Sequence, residues 1–436
     1  MPKTQYKKGN KKVLRAWAFY DWANSVYALV ISTAIFPLYF GSLFEDNQYV
    51  EVFGINYKNT ALIQHTSTLV FTCLAILIPI LSGIADHKKN KVSFLKFFCY
   101  LGSFCCIGLY FFTIENIYLG LFFYFFALFS FWASLVFYNS YLPEIAFPHQ
   151  QDRISALGFS YGYVGSVLLL LINLLMVLFP STFGFEDTIE PMKISFVMVG
   201  LWWAGFSQYT FHYLPKNQIQ FSKKDILKKS ILFGGFYQLK NVWKLVKKQE
   251  SIKKFLLAFF VFSCALQTII LIATYFGEQE IIWREGEKQI GLIISTLLIQ
   301  LIAIIGAIYT AKLSEKIGNI QTLIFLNIFW FILCVGGYFI KYSYEFYVVA
   351  AFVGLVMGGI QALSRSTYSK LIPVTENTCS YFSFYQMCMI LSISLGTFMS
   401  GIVDQLTGSL RNSIIIFAVI FIFGAILLKD IKMKKL

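Results

Sequence analysis

The 436-residue chain predicts an all-α membrane protein with twelve transmembrane helices arranged as two six-helix bundles. Three observations predict it. Hydrophobic residues make up 57% of the chain and charged residues only 13%, with mean hydropathy +0.66, whereas a soluble domain carries roughly 25% charge. The apolar runs divide into twelve segments, each long enough for the roughly 17–25 residues of a bilayer crossing. The segments between them alternate in the sign of their charge.

The first six spans are placed at residues 17–40, 66–84, 95–112, 117–137, 157–179 and 194–214. The second six fall at 255–276, 290–310, 320–339, 347–363, 382–403 and 410–428. The predicted units are an N-terminal six-helix bundle (1–214), a basic linker with an interfacial helix (215–254) and a C-terminal six-helix bundle (255–436). Within the linker, Leu239, Val242 and Val246 recur on one face against Lys240, Lys244, Lys247 and Lys248, the pattern of a helix lying in the membrane interface.

Orientation follows from the loops. The amino terminus holds Lys3, Lys7, Lys8, Lys11, Lys12 and Arg15, and the next loop holds Glu45, Asp46 and Glu51. The loop after that is His87-Lys88-Lys89-Asn90-Lys91, and the alternation continues to the tail at Lys432, Lys434 and Lys435. With both termini cytoplasmic, only Lys58, Lys193, Arg284, Lys288, Lys341 and Arg411 fall outside, 6 of 36 Lys and Arg. Lys and Arg stay on the cytoplasmic side, so this orientation is the expected one, in a plasma (inner) membrane. The formal charge of +14 then serves orientation and attraction to anionic lipid headgroups, and no nucleic-acid partner is expected. The first apolar run is about twice the length of a signal-peptide core and lacks a small-residue cleavage site, so span 1 is expected to persist. The eight Cys sit in or at the ends of spans and read as small apolar filler.

The halves echo one another. Span 2 runs into Ser82-Gly83-Ile84-Ala85-Asp86-His87-Lys88-Lys89-Asn90-Lys91, and span 8 into Ala311-Lys312-Leu313-Ser314-Glu315-Lys316-Ile317-Gly318-Asn319. Spans 4 and 10 end in Tyr141-Leu142-Pro143 and Leu371-Ile372-Pro373, where proline stops a helix. The turn after span 2 resembles the loop 2–3 signature of the major facilitator superfamily, G-x-x-x-D-[RK]-x-G-R-[RK]. Asp86 matches its acid and Lys91 its last cation, while Ser82, His87, Lys89 and Asn90 depart from it. Glu315, Lys316 and Gly318 keep more of the pattern in the second half. Three further stretches, Asp21-Trp22-Ala23-Asn24-Ser25, 138–145 (YNSYLPEI) and 358–366 (GGIQALSRS), resemble the branch of that superfamily containing the vacuolar amino-acid effluxers and many bacterial members. The resemblance covers essentially the whole chain. It implies a secondary carrier whose halves rock about a central cavity lined by spans 1, 4, 7 and 10.

Candidate site residues follow from polarity within the spans. Asp21 is the one acid placed inside a span, where an ionised carboxylate costs a few kcal/mol and calls for a cavity or a partner. Asn24 and Ser25 share its face. Asp21 is read as a substrate or proton site, a gating ion pair, or a group near the membrane surface. Gln361, Ser364 and Arg365 make a similar stripe in span 10; Arg365 is read as a gate partner for Asp21, a carboxylate ligand, or a lipid-phosphate contact. Arg153 is the competing partner for Asp21. By resemblance Tyr138 and Gln267 join the cavity set, though Gln267 suits interhelical bonding equally. Gly158, Gly162 and Gly165 read as a helix-packing face. The turns at Asp86, Lys91, Glu315 and Lys316 are read as gating turns, each acid pairing with the facing half.

The four His show no metal-ligand spacing, and no phosphate-binding G-x-x-x-x-G-K-[ST] loop occurs, so neither metal, ATP nor another cofactor is expected. The expected function is therefore secondary transport of a small polar solute, an amino acid or related metabolite, by a monomer, with protons a candidate coupling ion. The rival reading, an intramembrane enzyme or a receptor-like scaffold, lacks convergent His, Cys or paired carboxylates within the spans, and lacks a soluble domain.

Overall fold

The computed structural model describes residues 7–44, 49–215 and 231–433. Loop acids Glu45 and Asp46, the first part of the basic linker (216–230) and the tail lysines Lys434 and Lys435 lie outside the described residues. Span 1 runs Lys11–Ser42, span 2 Asn59–His87, span 3 Lys91–Gly108, span 4 Ile117–Asn139, span 5 Pro148–Leu178 and span 6 Ile189–Tyr213. A separate helix, Ile231–Lys248, precedes span 7 (Glu250–Glu280). Spans 8 to 12 are Lys288–Ile317, Asn319–Phe339, Ser343–Leu371, Thr378–Thr407 and Leu410–Leu428. Among the described residues eleven helices are long and apolar enough to cross a bilayer. Span 6 is the other long one, with 25 residues; Trp202, Trp203, Ser207, Gln208, Tyr209 and Thr210 lower its hydropathy.

In the first half span 1 packs on spans 5 and 6, and span 3 on spans 4 and 6; in the second, span 8 packs on span 10 and span 12 on spans 7 and 9. The halves meet where span 2 lies on span 11 and where span 5 lies on spans 8 and 10. One end of the bundle, the basic end, carries the start of span 1, the end of span 12 and the short Lys88–Asn90 turn.

Two local features depart from a plain helical reading. The first inter-span loop folds into an antiparallel hairpin, Tyr49–Val52 against Ile55–Lys58, turning at Phe53 and Gly54, both with positive φ. Span 1 widens into a π-helix over Tyr27–Ile35, directly beyond Asp21, Asn24 and Ser25. Such wide turns concentrate at functional sites because they displace side chains from α-helical register.

Span 5 begins nine residues before its apolar run. Pro148 opens it, suited to a first turn whose N–H has no helical acceptor, and Gln150 Oε1 takes the Phe147 N–H (3.1 Å). That early start carries Asp152 and Ser155 into the helix, facing the other half.

Candidate functional site

Asp21 and Arg365 meet across the two halves. The Arg365 Nη1 donates to Asp21 Oδ2 at 3.0 Å, with both side chains almost wholly buried. The Tyr138 hydroxyl donates to the same Asp21 oxygen at 2.9 Å. Arg365 makes three further bonds, all to the first half: Nε to Ser155 Oγ (2.9 Å), Nη2 to the Ser155 carbonyl (2.8 Å) and Nη1 to Asn139 Oδ1 (3.4 Å). Its guanidinium lies 4.2 Å from the Phe159 ring centroid and 4.9 Å from that of Trp17. An aromatic cage of this kind favours a planar cation with few hydrogen bonds to water.

The cage is possible because span 5 comes close to span 1. A side chain at Gly158 would strike Asp21 Oδ2, and one at Gly162 would strike Ser25 Oγ. The Trp17 indole N–H anchors span 1 to span 4 by donating to the Tyr138 carbonyl (2.9 Å). Two of the roles that the sequence leaves open for these charges therefore do not describe this geometry. Arg365 is 3% exposed, which excludes a lipid-phosphate contact, and Asp21 is 5% exposed, which excludes a surface role. Arg153 is exposed and is not the partner of Asp21.

Beyond the ion pair the neighbouring candidate residues are polar and uncharged. Gln361 Oε1 accepts from the Tyr163 hydroxyl at 2.8 Å, a further bond between the halves. Asn24 is buried, its Oδ1 accepting from Ser25 Oγ (3.4 Å), while its Nδ2 has no partner among the described residues. Gln267 is half-buried on span 7 and bonds to none of these residues. The structure thus assembles Asp21, Tyr138, Arg365, Asn24 and Ser25 with Gln361 at their edge, and leaves Gln267 apart.

Nearer the basic end two clamps join the halves. Asp86 accepts from the Cys379 N–H (3.1 Å) and from the Ser380 N–H (2.7 Å) and hydroxyl (2.6 Å), so it caps span 11. A carboxylate there meets unsatisfied backbone donors and the positive end of the helix dipole. Lys91, 3% exposed, pairs with Glu144 and donates to Thr378 Oγ1 at 2.7 Å. The second clamp centres on Asp152, whose Oδ2 accepts from Lys370 Nζ (2.5 Å) and Ser314 Oγ (3.0 Å), and whose Oδ1 accepts from Asn319 Nδ2 (2.8 Å).

Glu315 and Lys316 do not meet the expectation of a gating turn. Both are exposed and form no ion pair with a described residue; their neighbours Ser314 and Asn319 point inward instead. Sequence reasoning missed Asp152, Ser155, Asn139 and Lys370. Pro148 was the available signal, since a proline at a first helical turn would have moved the start of span 5 forward and placed Asp152 inside it. Among the described residues no group of His, Cys, Asp or Glu could hold a metal ion.

Comparison with known proteins gives these contacts a family setting. The chain is 29% identical over 416 residues to the uncharacterized MFS-type transporter YxiO of Bacillus subtilis, covering 95% of this chain and 93% of the relative. It is 24% identical to autophagy-related protein 22 of Pichia angusta, covering 92% and 78%. The proton:xylose symporter XylE matches in structure with TM-score 0.73 at 11% identity, over 97% of this chain and 96% of that one. The fucose:proton symporter FucP, in the outward conformation, matches at 0.69 and 13%, over 98% and 99%. The fold is that of the major facilitator superfamily, and the relatives are transporters rather than enzymes. Residues 9–435 match the family described as vacuole effluxer Atg22 like, and the chain, a multi-pass membrane transporter, belongs to that family.

Proposed function

We propose that this transporter moves a small polar solute, an amino acid or related metabolite, by alternating access, and that the Asp21–Arg365 pair is the gate holding the halves together toward the basic end. The observation that carries this reading is the pair itself: two buried opposite charges, one per half, bonded only while the halves touch. Removing one leaves the other buried and uncompensated, so the pair biases the closed geometry. The bonds between halves from Asp86, Lys91, Glu144, Asp152 and Lys370 lie on the same side, and FucP, a structural neighbour, is an outward-conformation structure. The proposed state is therefore closed at the basic end and accessible from the other.

By the positive-inside rule the basic end is cytoplasmic; the proposed setting is a plasma membrane and the proposed acting unit a monomer. A solute fits the neutral set Asn24, Ser25 and Gln361, because four of the five Arg365 N–H groups are already bonded to the protein in this state. A proton on Asp21 would cancel the charge that Arg365 pairs with, which gives the gate a route to proton coupling. The test is a double-mutant cycle read two ways: counterflow of labelled amino acids in proteoliposomes, and spin-label distances across the basic end. Asp21→Asn and Arg365→Gln should each lengthen the distances and impair counterflow, and the double mutant should be no worse than the poorer single. Additive losses would remove the gate.

A further inference from the structure

The helix Ile231–Lys248 buries one face on the protein and leaves a cationic face uncovered. Its C-terminus stops two residues before Glu250 opens span 7, whose apolar run begins at Phe255. It packs along span 2. Val242 (0% exposed) and Val246 (2%) form the covered face, with Leu239 half-buried beside them. Trp243 reaches across to span 11, with its ring centroid 5.2 Å from that of Phe384. Phe384 lies six residues into span 11, about 9 Å along the axis at 1.5 Å per residue. The helix therefore lies against the flank of the bundle, beside the first turns of span 11, and not beneath it.

The remaining surface has two chemistries. Trp243 and Leu245 leave 43% and 47% of their area exposed, on either side of the covered face. Lys240, Lys244, Lys247 and Lys248 are exposed opposite the covered face, at 100° per residue within one broad arc. Lys247 Nζ lies 5.3 Å from the Trp243 ring, and no acid of this helix offsets the four cations. Apolar flanks with an outer face whose charges are all cationic, with the exposed Tyr237 among them, are the chemistry of a helix at an anionic headgroup layer, where each Lys near the surface adds to binding.

We infer that this helix is a lipid-anchored brace: its lysines bind anionic phospholipid headgroups while its apolar face holds span 2 of one half to span 11 of the other. The brace sits beside the Asp86 cap on Ser380, which joins the same two spans. Opening the basic end separates those spans, so the helix must let go of one of them. Anionic lipid, by fixing the helix, then favours the closed end. This inference rests on the proposed closed basic end for its consequence, but the lipid contact stands without it.

The experiment uses the full-length protein in nanodiscs of phosphatidylcholine alone and of phosphatidylcholine with phosphatidylglycerol. Backbone hydrogen exchange is followed in the Ile231–Lys248 helix. The expected result is exchange slowed about tenfold or more by phosphatidylglycerol, with the effect abolished in a variant carrying Lys240→Gln, Lys244→Gln, Lys247→Gln and Lys248→Gln. Equal exchange in the two lipids overturns the inference, as does an effect that survives the four substitutions. Inorganic phosphate reproducing the protection in phosphatidylcholine would show a soluble-anion site and also overturns it. Should the fourfold variant fail to fold, the lipid comparison on the native chain and Lys244→Gln with Lys247→Gln decide the matter. Spin-label distances between spans 2 and 11 give the second readout: lipid-dependent exchange with unchanged distances would keep the lipid contact and remove the closed-end reading.

Discussion

The turn after span 2 and the turn after span 8 share a sequence pattern and do opposite things with it. In the first, Asp86 on the turn reaches across to the other half and accepts three hydrogen bonds at the start of span 11. In the second, the corresponding Glu315 faces outward, and the acid comes from the far side: Asp152, in the first turns of span 5, accepts from Ser314 and Asn319 on either side of the turn. Each clamp joins a turn to the start of a helix in the facing half, but with donor and acceptor exchanged. The repeat is preserved as a network of one buried acid with its donors, not position by position. The two clamps also differ in charge. Asp86 is held chiefly by backbone N–H and a hydroxyl, whereas Asp152 is held by a buried ammonium, Lys370.

The sharpest way to break this comparison lies between the clamps, at the gate. Arg365→Gln should leave Asp21 buried with the neutral Tyr138 hydroxyl as its remaining donor, at a cost of about 3–5 kcal/mol to the closed state. Gly158→Ala should do much the same without removing a charge, because the new methyl would lie 2.5 Å from Asp21 Oδ2 and force the pair apart. Thermal unfolding in detergent and spin-label distances across the basic end should both register each change. If Gly158→Ala behaves like the native protein, the pair is not a rigid contact.

The clamps themselves come next. Asp152→Asn removes the counter-charge of the Lys370 ammonium and leaves it only neutral acceptors such as Asn319 Oδ1 (2.9 Å), so it should cost more than Asp86→Asn, whose amide oxygen still accepts from the neutral donors of Ser380. The expected gap is about 1–2 kcal/mol in favour of the open basic end, read as relative populations in the distance distributions. Glu315→Gln should change neither by more than about 0.5 kcal/mol, as expected for an exposed position. A large Glu315→Gln effect, or an Asp86→Asn effect exceeding that of Asp152→Asn, would return the second clamp to Glu315 and restore strict symmetry.

Much of this was legible in the sequence because a bilayer is a strict solvent. The spans and their number follow from hydropathy, and the expense of charge in hydrocarbon made Arg365 one of two candidate partners for Asp21, with Arg153 the other. What stayed hidden depends on rotation and on helix starts. Asp152 lies before the apolar run of span 5, where hydropathy is silent and only Pro148 marks the helix. Glu315 looks like Asp86 in one dimension, but Gly318 and Asn319 turn the chain so that Ser314 and Asn319 take the inward face. The two bonds from Arg365 to Ser155 and its cage of Trp17 and Phe159 required the three-dimensional approach of span 5, since nothing in spacing along the chain brings those residues together.

The smallest effect tests the turn backbone. Where the superfamily signature has a glycine, this chain has Lys89, and Lys89 adopts φ +52°, a left-handed conformation that costs a side-chain-bearing residue about 1 kcal/mol; the equivalent Gly318 sits at φ +87° without that cost. Lys89→Gly should relieve this strain. Against the gain stand the greater freedom of glycine in the unfolded chain and the loss of the Lys89–Glu376 ion pair, which at 2.8 Å is exposed on both sides (57% and 76%) and so contributes about 0–1 kcal/mol. The terms nearly cancel, and the net change in thermal stability should stay within about 0.5 kcal/mol. Lys89→Gly combined with Glu376→Gln separates them: it keeps the relief of strain while removing the pair from both members of the comparison with Glu376→Gln alone. In that background Lys89→Gly should be neutral to slightly stabilising. A loss of 1 kcal/mol or more there would mean that the lysine side chain supports the turn through another contact, and that the departure from glycine is an adaptation of this turn and not a tolerated strain.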